Sequence, residues 1–339
     1  MTPDFALIAA YADAQSGLVQ LSERARLSPI RQPWLKRMAI VERQALARLD
    51  GTSIDDADIR IDGRGTIIPS PFDLTRWSHA LSERITLDAL LNDSAALLAW
   101  LGIDLDMPDE GVLTRPHRPR PDIIAAIGAW RQAVTAAPPA PPLLHSALLT
   151  HSWLQIAPIG EGDRVAAMLI GGRWGPGRWH VPTGGLVALG FEHRKAAWKG
   201  AGQEAFSRLW LDAIIAGARS HLDLEMRLRA YAGRAAHRIA ERRRPGRLKD
   251  VIMLAMIHPR LTSNRVAKML SLTSAGAIKL LTIAVEEGLL IEQSGQASYR
   301  SYAIPVAMTR AGHDIGMAGT DDPNFWCDDA QISGPKLAS

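Results

Sequence analysis

The chain has 339 residues, 47% of them hydrophobic and 22% charged, with a formal net charge of +4. That length holds two or three domains with cores of their own, and the composition is that of a globular chain rather than a disordered or fibrous one. No apolar run approaches the roughly 18 residues of a membrane span, no basic-then-apolar leader opens the chain, and the single Cys327 excludes an intrachain disulfide framework and a multi-cysteine zinc site. A cytoplasmic protein without metal or organic cofactor is expected.

Helical spacing with few breakers covers residues 3–26 and 34–50. Asp58 to Ile68 predicts a small hairpin turning at Gly63, Arg64 and Gly65. Residues 70–104 predict two further helices. The segment 106–121, dense in proline and charge, predicts a linker. Pro121 stands at the first turn of a helix over 122–136, and the prolines at 138, 139, 141 and 142 end it. A helix over 143–156, a loop at Ala157 and Pro158, and a helix over 161–170 follow. Gly171, Gly172, Gly175 and Gly177 neither follow a strand nor precede a phosphate-loop lysine, so they predict turns. Gly202 to Arg243 predicts a long amphipathic stretch, two helices broken near Ser220. Trp153, Trp198 and Trp210 sit in helical runs and predict core, as do His145 and His151 a helix face. Trp174 and Trp179 flank glycines and arginines, where both loop packing and ligand stacking are open.

The clearest pattern lies at 246–304. Arg247 to Ile257 is helical, and His258 and Pro259 stop it. Thr262, Ser263 and Asn264 open a short helix over 265–270, a turn at 271–273 leads to a third helix from Ser274 to about Glu287, and Gly288 ends that one. Residues 289–304 predict a hairpin. This order predicts a winged helix-turn-helix whose last helix enters a major groove. Its apolar set is Val266, Ala267, Met269, Leu270, Ile278, Leu281 and Val285. Ser274, Ala275 and Lys279 are left over as base readers, with Thr273 as N-cap or phosphate contact. Arg242, Arg243, Arg244, Arg247, Arg265 and Lys268 are the expected phosphate contacts, and Gln296 and Arg300 lie on or beside the wing.

Charge agrees with this. From Arg238 to Arg300 there are 11 lysines and arginines against 5 acids, +6 in a chain of +4, so the remainder sums to −2. A basic module on a slightly acidic body is the electrostatic footprint of a nucleic-acid binder. A basic face that is merely solvated, or a winged helix that docks protein, is the alternative.

Residues 143–170 resemble the core of the Fic family of nucleotide-transferring enzymes, whose loop reads His-Pro-Phe-x-Asp/Glu-Gly-Asn-Gly-Arg-x-x-Arg. Pro158, Glu161 and Gly162 match. Ala157 stands in place of the histidine, Ile159 of the phenylalanine and Asp163 of the asparagine. Arg164 arrives one place early, and the second arginine is absent. The resemblance implies a phosphate-cradling loop that has lost its general base, a role worth roughly 10²–10⁴-fold. It also implies an added acid beside Glu161 that repels a triphosphate. His151, within the preceding helix, does not stand in for the loop histidine. Upstream, Ala45 to Thr52 resembles the family's Ser-x-x-x-Glu-Gly inhibitory helix. Asp50 and Gly51 keep the acid–glycine pair, Leu46 replaces the serine, and Asp50 is placed to pair with Arg164.

The expected architecture is therefore mainly α. An N-terminal helical region (1–120) and a Fic-like core (121–241) precede a winged helix-turn-helix (242–304) and a flexible tail (305–339). The expected protein is a non-enzymatic DNA-binding regulator of transcription, a homodimer on double-stranded DNA. Its body dimerises or senses a small-molecule or nucleotide effector. A nucleotidyltransferase with an altered loop and an antitoxin-like protein partner are the rivals.

Overall fold

The computed structural model describes residues 4–54, 60–61, 67–68, 77–82, 85–103, 119–172, 185–194, 198, 200–243, 246–293, 300–305 and 325–326. The protein is mainly α-helical, with a small three-stranded antiparallel sheet near the C-terminus. Contacts group the chain into two compact units. The first takes 1–24, 39–59 and 69–221, and the second takes 25–38, 60–68 and 222–339. Among the described residues no single helix is long and apolar enough to cross a membrane.

In chain order the helices begin with α1 (Phe5–Leu27) and α2 (Arg31–Leu49). Strands β1 (Arg60–Ile61) and β2 (Ile67–Ile68) pair antiparallel, Arg60 opposite Ile68, as expected for a hairpin; its turn lies outside the described residues. Where two helices were expected over 70–104, the described residues hold three short ones, α3 (Ser78–Ser82), α4 (Leu87–Asn92) and α5 (Ser94–Trp100). The extra break is made by Asp93. Its backbone closes α4, and its carboxylate accepts from the Ala96 N–H to open α5.

The first unit is built around α8 (Asp163–Gly172). Every residue of this helix is buried except Arg164. It packs on α7 (Pro142–Ile156), which packs in turn on α6 (Arg120–Ala136). Trp130 of α6 meets Trp153 of α7 edge to face at 5.2 Å, and its indole N–H donates to the Leu149 carbonyl at 3.1 Å. Gly171 and Gly172 are part of α8, not turns. A Cβ at Gly171 would lie 1.9 Å from Thr150 Oγ1, so glycine is there for the close approach of α7 and α8.

Helix α9 (Gly185–Arg194) was not expected from the sequence. It lies against α10 (Gln203–Ala240) so closely that a Cβ at Gly190 would sit 1.8 Å from the Ala213 carbonyl oxygen. Helix α10 runs 38 residues without the break expected at Ser220. At that point His221 is buried and its Nε2 meets Glu42 Oε1 at 3.0 Å, a tie that holds the region of the expected break in place. Trp198 is buried but lies between α9 and α10, outside any helix. It stacks on Phe191 at 5.1 Å.

The second unit holds α11 (Leu248–Ile257), β3 (Leu261–Thr262), α12 (Ser263–Met269), α13 (Ser274–Glu286), β4 (Ile291–Glu292) and β5 (Ser301–Ala303). The sheet order is β3-β5-β4, antiparallel throughout, with Leu261 opposite Tyr302 and Ile291 opposite Ala303. The hairpin strands were expected; β3 was not. Local chemistry sets the helix ends. Thr262 Oγ1 accepts from Arg265 N and caps α12, Thr273 Oγ1 accepts from Gly276 N and caps α13, and Gly288 at φ 65° turns the chain out of α13. The C-terminal part of α10 belongs to this unit. Tyr231 donates to the Leu289 carbonyl at 2.8 Å, and burial raises its phenol above the ordinary range.

Of 305–339, only Pro305, Phe325 and Trp326 are described. Trp326 is buried, and Lys249 Nζ lies 5.0 Å from the centre of the Phe325 ring.

Candidate functional site

Two places in the molecule collect the residues that the sequence singles out. The first is the outward face of α13. Ala277, Leu281 and Ala284 turn inward and are buried, so Ser274, Ala275, Lys279 and Thr282 are left exposed. Ile278 is exposed with them, at 50%, and does not belong to the packing set. Two stripes of helical spacing overlap on α13, one through 277, 281 and 284 and one through 278, 281 and 285. The smaller residues are the buried ones, because alanine lets α11 and α12 approach closely. Val266, Leu270 and Leu281 are buried as expected, while Ala267, Met269 and Val285 are half-buried.

The expected phosphate contacts divide. Lys268, Lys279 and Arg243 are exposed and make no ion pair or hydrogen bond with any described residue. Arg260, exposed ahead of β3, joins them; sequence reasoning passed over it because it stands outside any helix. Three others are committed to the protein. Arg242 pairs with Glu287. Arg247 donates from Nε to Asp250 at 2.7 Å and from Nη1 to the Leu270 carbonyl at 2.6 Å, tying the start of α11 to the end of α12. Arg265 reaches His258 Nδ1 at 3.3 Å and the Arg260 carbonyl at 3.4 Å. Arg300 is exposed, with Glu292 3.7 Å away across the hairpin. Arg244 and Gln296 lie outside the described residues. Thr273 is occupied as a cap. Replacing it with alanine is expected to destabilise α13 by about 1 kcal/mol, read as a shift of the thermal midpoint.

The second place is a cavity of about 540 Å³ in the first unit. Asp50 and Gly51 line it at the end of α2, and Ala157, Gly160, Glu161, Gly162, Asp163 and Arg164 line it between α7 and α8. Both stretches picked from the sequence thus meet at one hollow. Ala157, at φ 46°, closes α7 in the left-handed region, with Gly160 at 89° and Gly162 at 79° continuing the turn. Pro158 and Ile159 are buried.

Asp163 does not stand beside Glu161 facing a ligand. It is buried, and its carboxylate accepts from Trp153 Nε1 at 2.8 Å, from Ile159 N at 3.2 Å and from Gly160 N at 2.7 Å. The Ile159 and Gly160 N–H groups, four and three residues ahead of Asp163 in the loop before α8, are thus turned onto an internal carboxylate. Nor does Asp50 pair with Arg164. Asp50 accepts from the Trp77 indole at 3.3 Å, and Arg164 is exposed with no ion pair among the described residues. Trp77 stands 27 residues from Asp50, and no local pattern in the sequence announced it as the partner. His151 lines the cavity, yet its Nε2 donates to the Ala201 carbonyl at 2.9 Å and its ring packs on Phe206 at 5.2 Å. His145 is half-buried, and burial lowers its pKa. Among the described residues no group of three or more histidines, cysteines or acids could hold a metal. Trp174 and Trp179 lie outside the described residues.

No protein-family model matches the chain, and no curated protein does.

Proposed function

We propose that the chain binds double-stranded DNA through a winged helix at 246–304 and acts as a regulator of transcription. The observation that carries this is α13. It is a capped helix in the order α11-β3-α12-α13-β4-β5, and it turns Ser274, Ala275, Lys279 and Thr282 outward with no acid among them. A helix presenting small polar groups and one cation near its N-terminal end suits the floor of a major groove. Lys268, Arg243 and Arg260 supply cations for phosphates. A homodimer on two half-sites, in the cytoplasm, belongs to the same proposal, since one short helix gives little specificity.

The test is affinity for duplex DNA as a function of salt. Each neutralised phosphate contributes about 0.9 to the slope of log affinity on log salt. Alanine at Arg243, Arg260 and Lys268 together is expected to flatten that slope by about 2–3 units. Alanine at Arg242 is expected to weaken folding while leaving the slope in place, because that side chain pairs with Glu287. An unchanged slope in the triple variant, or no DNA binding by the wild type, would sink the proposal.

For the first unit, the meeting of Asp50, Gly51 and the 157–164 loop at one cavity favours a Fic-like body. We do not extend nucleotide transfer to it. Ala157 offers no base, and Asp163 takes the Ile159 and Gly160 N–H groups of the loop for itself. Protein labelled after incubation with labelled nucleoside triphosphate would overturn this.

A further inference from the structure

The large apolar side chain on the outward face of α13 is left half exposed. Ile278 is 50% exposed, one helical turn from Ala275 and from Thr282, and next to Lys279. An isolated apolar residue on a surface is ordinary. Its neighbours make this one informative. Every other exposed residue from 274 to 282 is small, hydroxylic or cationic, and none is acidic. A protein-docking face would be expected to carry several apolar anchors at helical spacing. This face carries one large apolar group, flanked by Ala275, within a polar and positively charged strip.

In a major groove, the base-pair feature that rewards an apolar side chain is the C5-methyl group of thymine. Lysine instead finds guanine O6 and N7. Adjacent residues on a helix point about 100° apart, so Ile278 and Lys279 would reach neighbouring base pairs rather than one. We propose that Ile278, supported by Ala275, reads a thymine methyl beside a guanine contacted by Lys279, making the thymine methyl a fixed determinant of the target site. This rests on the DNA-binding function proposed above and names the base chemistry that it selects.

The test starts with the full-length protein and a randomised duplex pool. Bound duplexes are expected to carry thymine at a fixed position next to a guanine. Replacing that thymine with deoxyuridine, which differs only by the methyl, is expected to weaken binding about four-fold, the worth of one such group removed from water. Ile278→Ala is expected to bind the thymine and deoxyuridine duplexes equally, with an unchanged salt slope, and Ile278→Val to discriminate in part. The deoxyuridine comparison uses wild-type protein, so it does not depend on a variant folding. Selected duplexes without a fixed thymine, equal wild-type affinity for the two duplexes, or discrimination retained by Ile278→Ala would each overturn the inference while leaving DNA binding intact. The same holds if Ile278→Ala changes only self-association or the capture of a protein. Wild-type protein that binds no duplex at all overturns the DNA-binding function and the inference with it.

Discussion

Alanine at Asp163 is expected to destabilise the first unit by about 3–5 kcal/mol, since it strands donors that each cost roughly 1–3 kcal/mol when buried without a partner. The carboxylate accepts from three of them, the Trp153 indole and the Ile159 and Gly160 amides. Gly160 borders the cavity, so water can reach its amide and relieve part of the loss. The Trp153 indole has no such route, because that side chain is fully buried beneath Trp130. Asparagine is expected to cost less than alanine. It keeps one acceptor oxygen but presents N–H₂ where the second oxygen stood. Trp153→Phe removes one donor and leaves Asp163 its two amides, so Trp153→Phe and Asp163→Ala together are expected to cost less than the sum of the two. Chemical denaturation followed by tryptophan fluorescence measures the wild type and all four variants. A midpoint for Asp163→Ala within error of wild type would show that the carboxylate does not hold the loop.

This interaction also shows where the sequence stops being informative. Read as a ligand-facing acid, Asp163 joins Glu161 in repelling phosphate; in the folded chain it works inward. Its indole partner is ten residues upstream, on the preceding helix, and only the packing of α7 on α8 brings the two together. The same limit hid the Trp77 partner of Asp50 and the Glu287 partner of Arg242. Charged residues were legible by position, but not by whether the protein had already engaged them.

Helix ends in the second unit were legible because their chemistry is local. Thr262, Thr273 and Gly288 act on residues within one turn, and the boundaries of α12 and α13 followed from them. Helix α9 was missed for the opposite reason. Its first seven residues, Gly185 to Phe191, are all buried, so it has no polar stripe for a periodicity to reveal. The pattern on α13 was visible but ambiguous. Hydrophobic weight favoured Ile278 over Ala277, whereas close packing favours the smaller side chain. Ser274, Ala275, Lys279 and Thr282 are exposed on α13 all the same, and Ile278 is exposed with them.

Acid is expected to destabilise the second unit through His258. The ring is almost fully buried at the end of α11, and its pKa is lowered to about 3 by desolvation first, then by the charges of Arg265, Arg37 and Lys36. A guanidinium can only donate, so the contact from Arg265 to Nδ1 fixes the neutral ring with its proton on Nε2, which has no hydrogen-bond partner. Protonation would therefore place a cation among three others without solvent. The unfolded chain binds this proton near the ordinary 6.5 and the folded chain only near 3. Stability from the neutral ring is thus complete above about 6.5 and is lost as pH falls toward 3. Between neutrality and pH 4.5 the loss is roughly 2–3 kcal/mol. His258→Leu removes the titrating group, so it is expected to flatten this limb by about that amount even if it lowers stability at neutral pH through the lost Arg265 contact. Denaturation midpoints at pH 7 and 4.5 for both proteins decide it. Equal acid slopes in wild type and variant would mean that the ring takes up its proton inside the fold, by an opening of α11 that the native packing does not show.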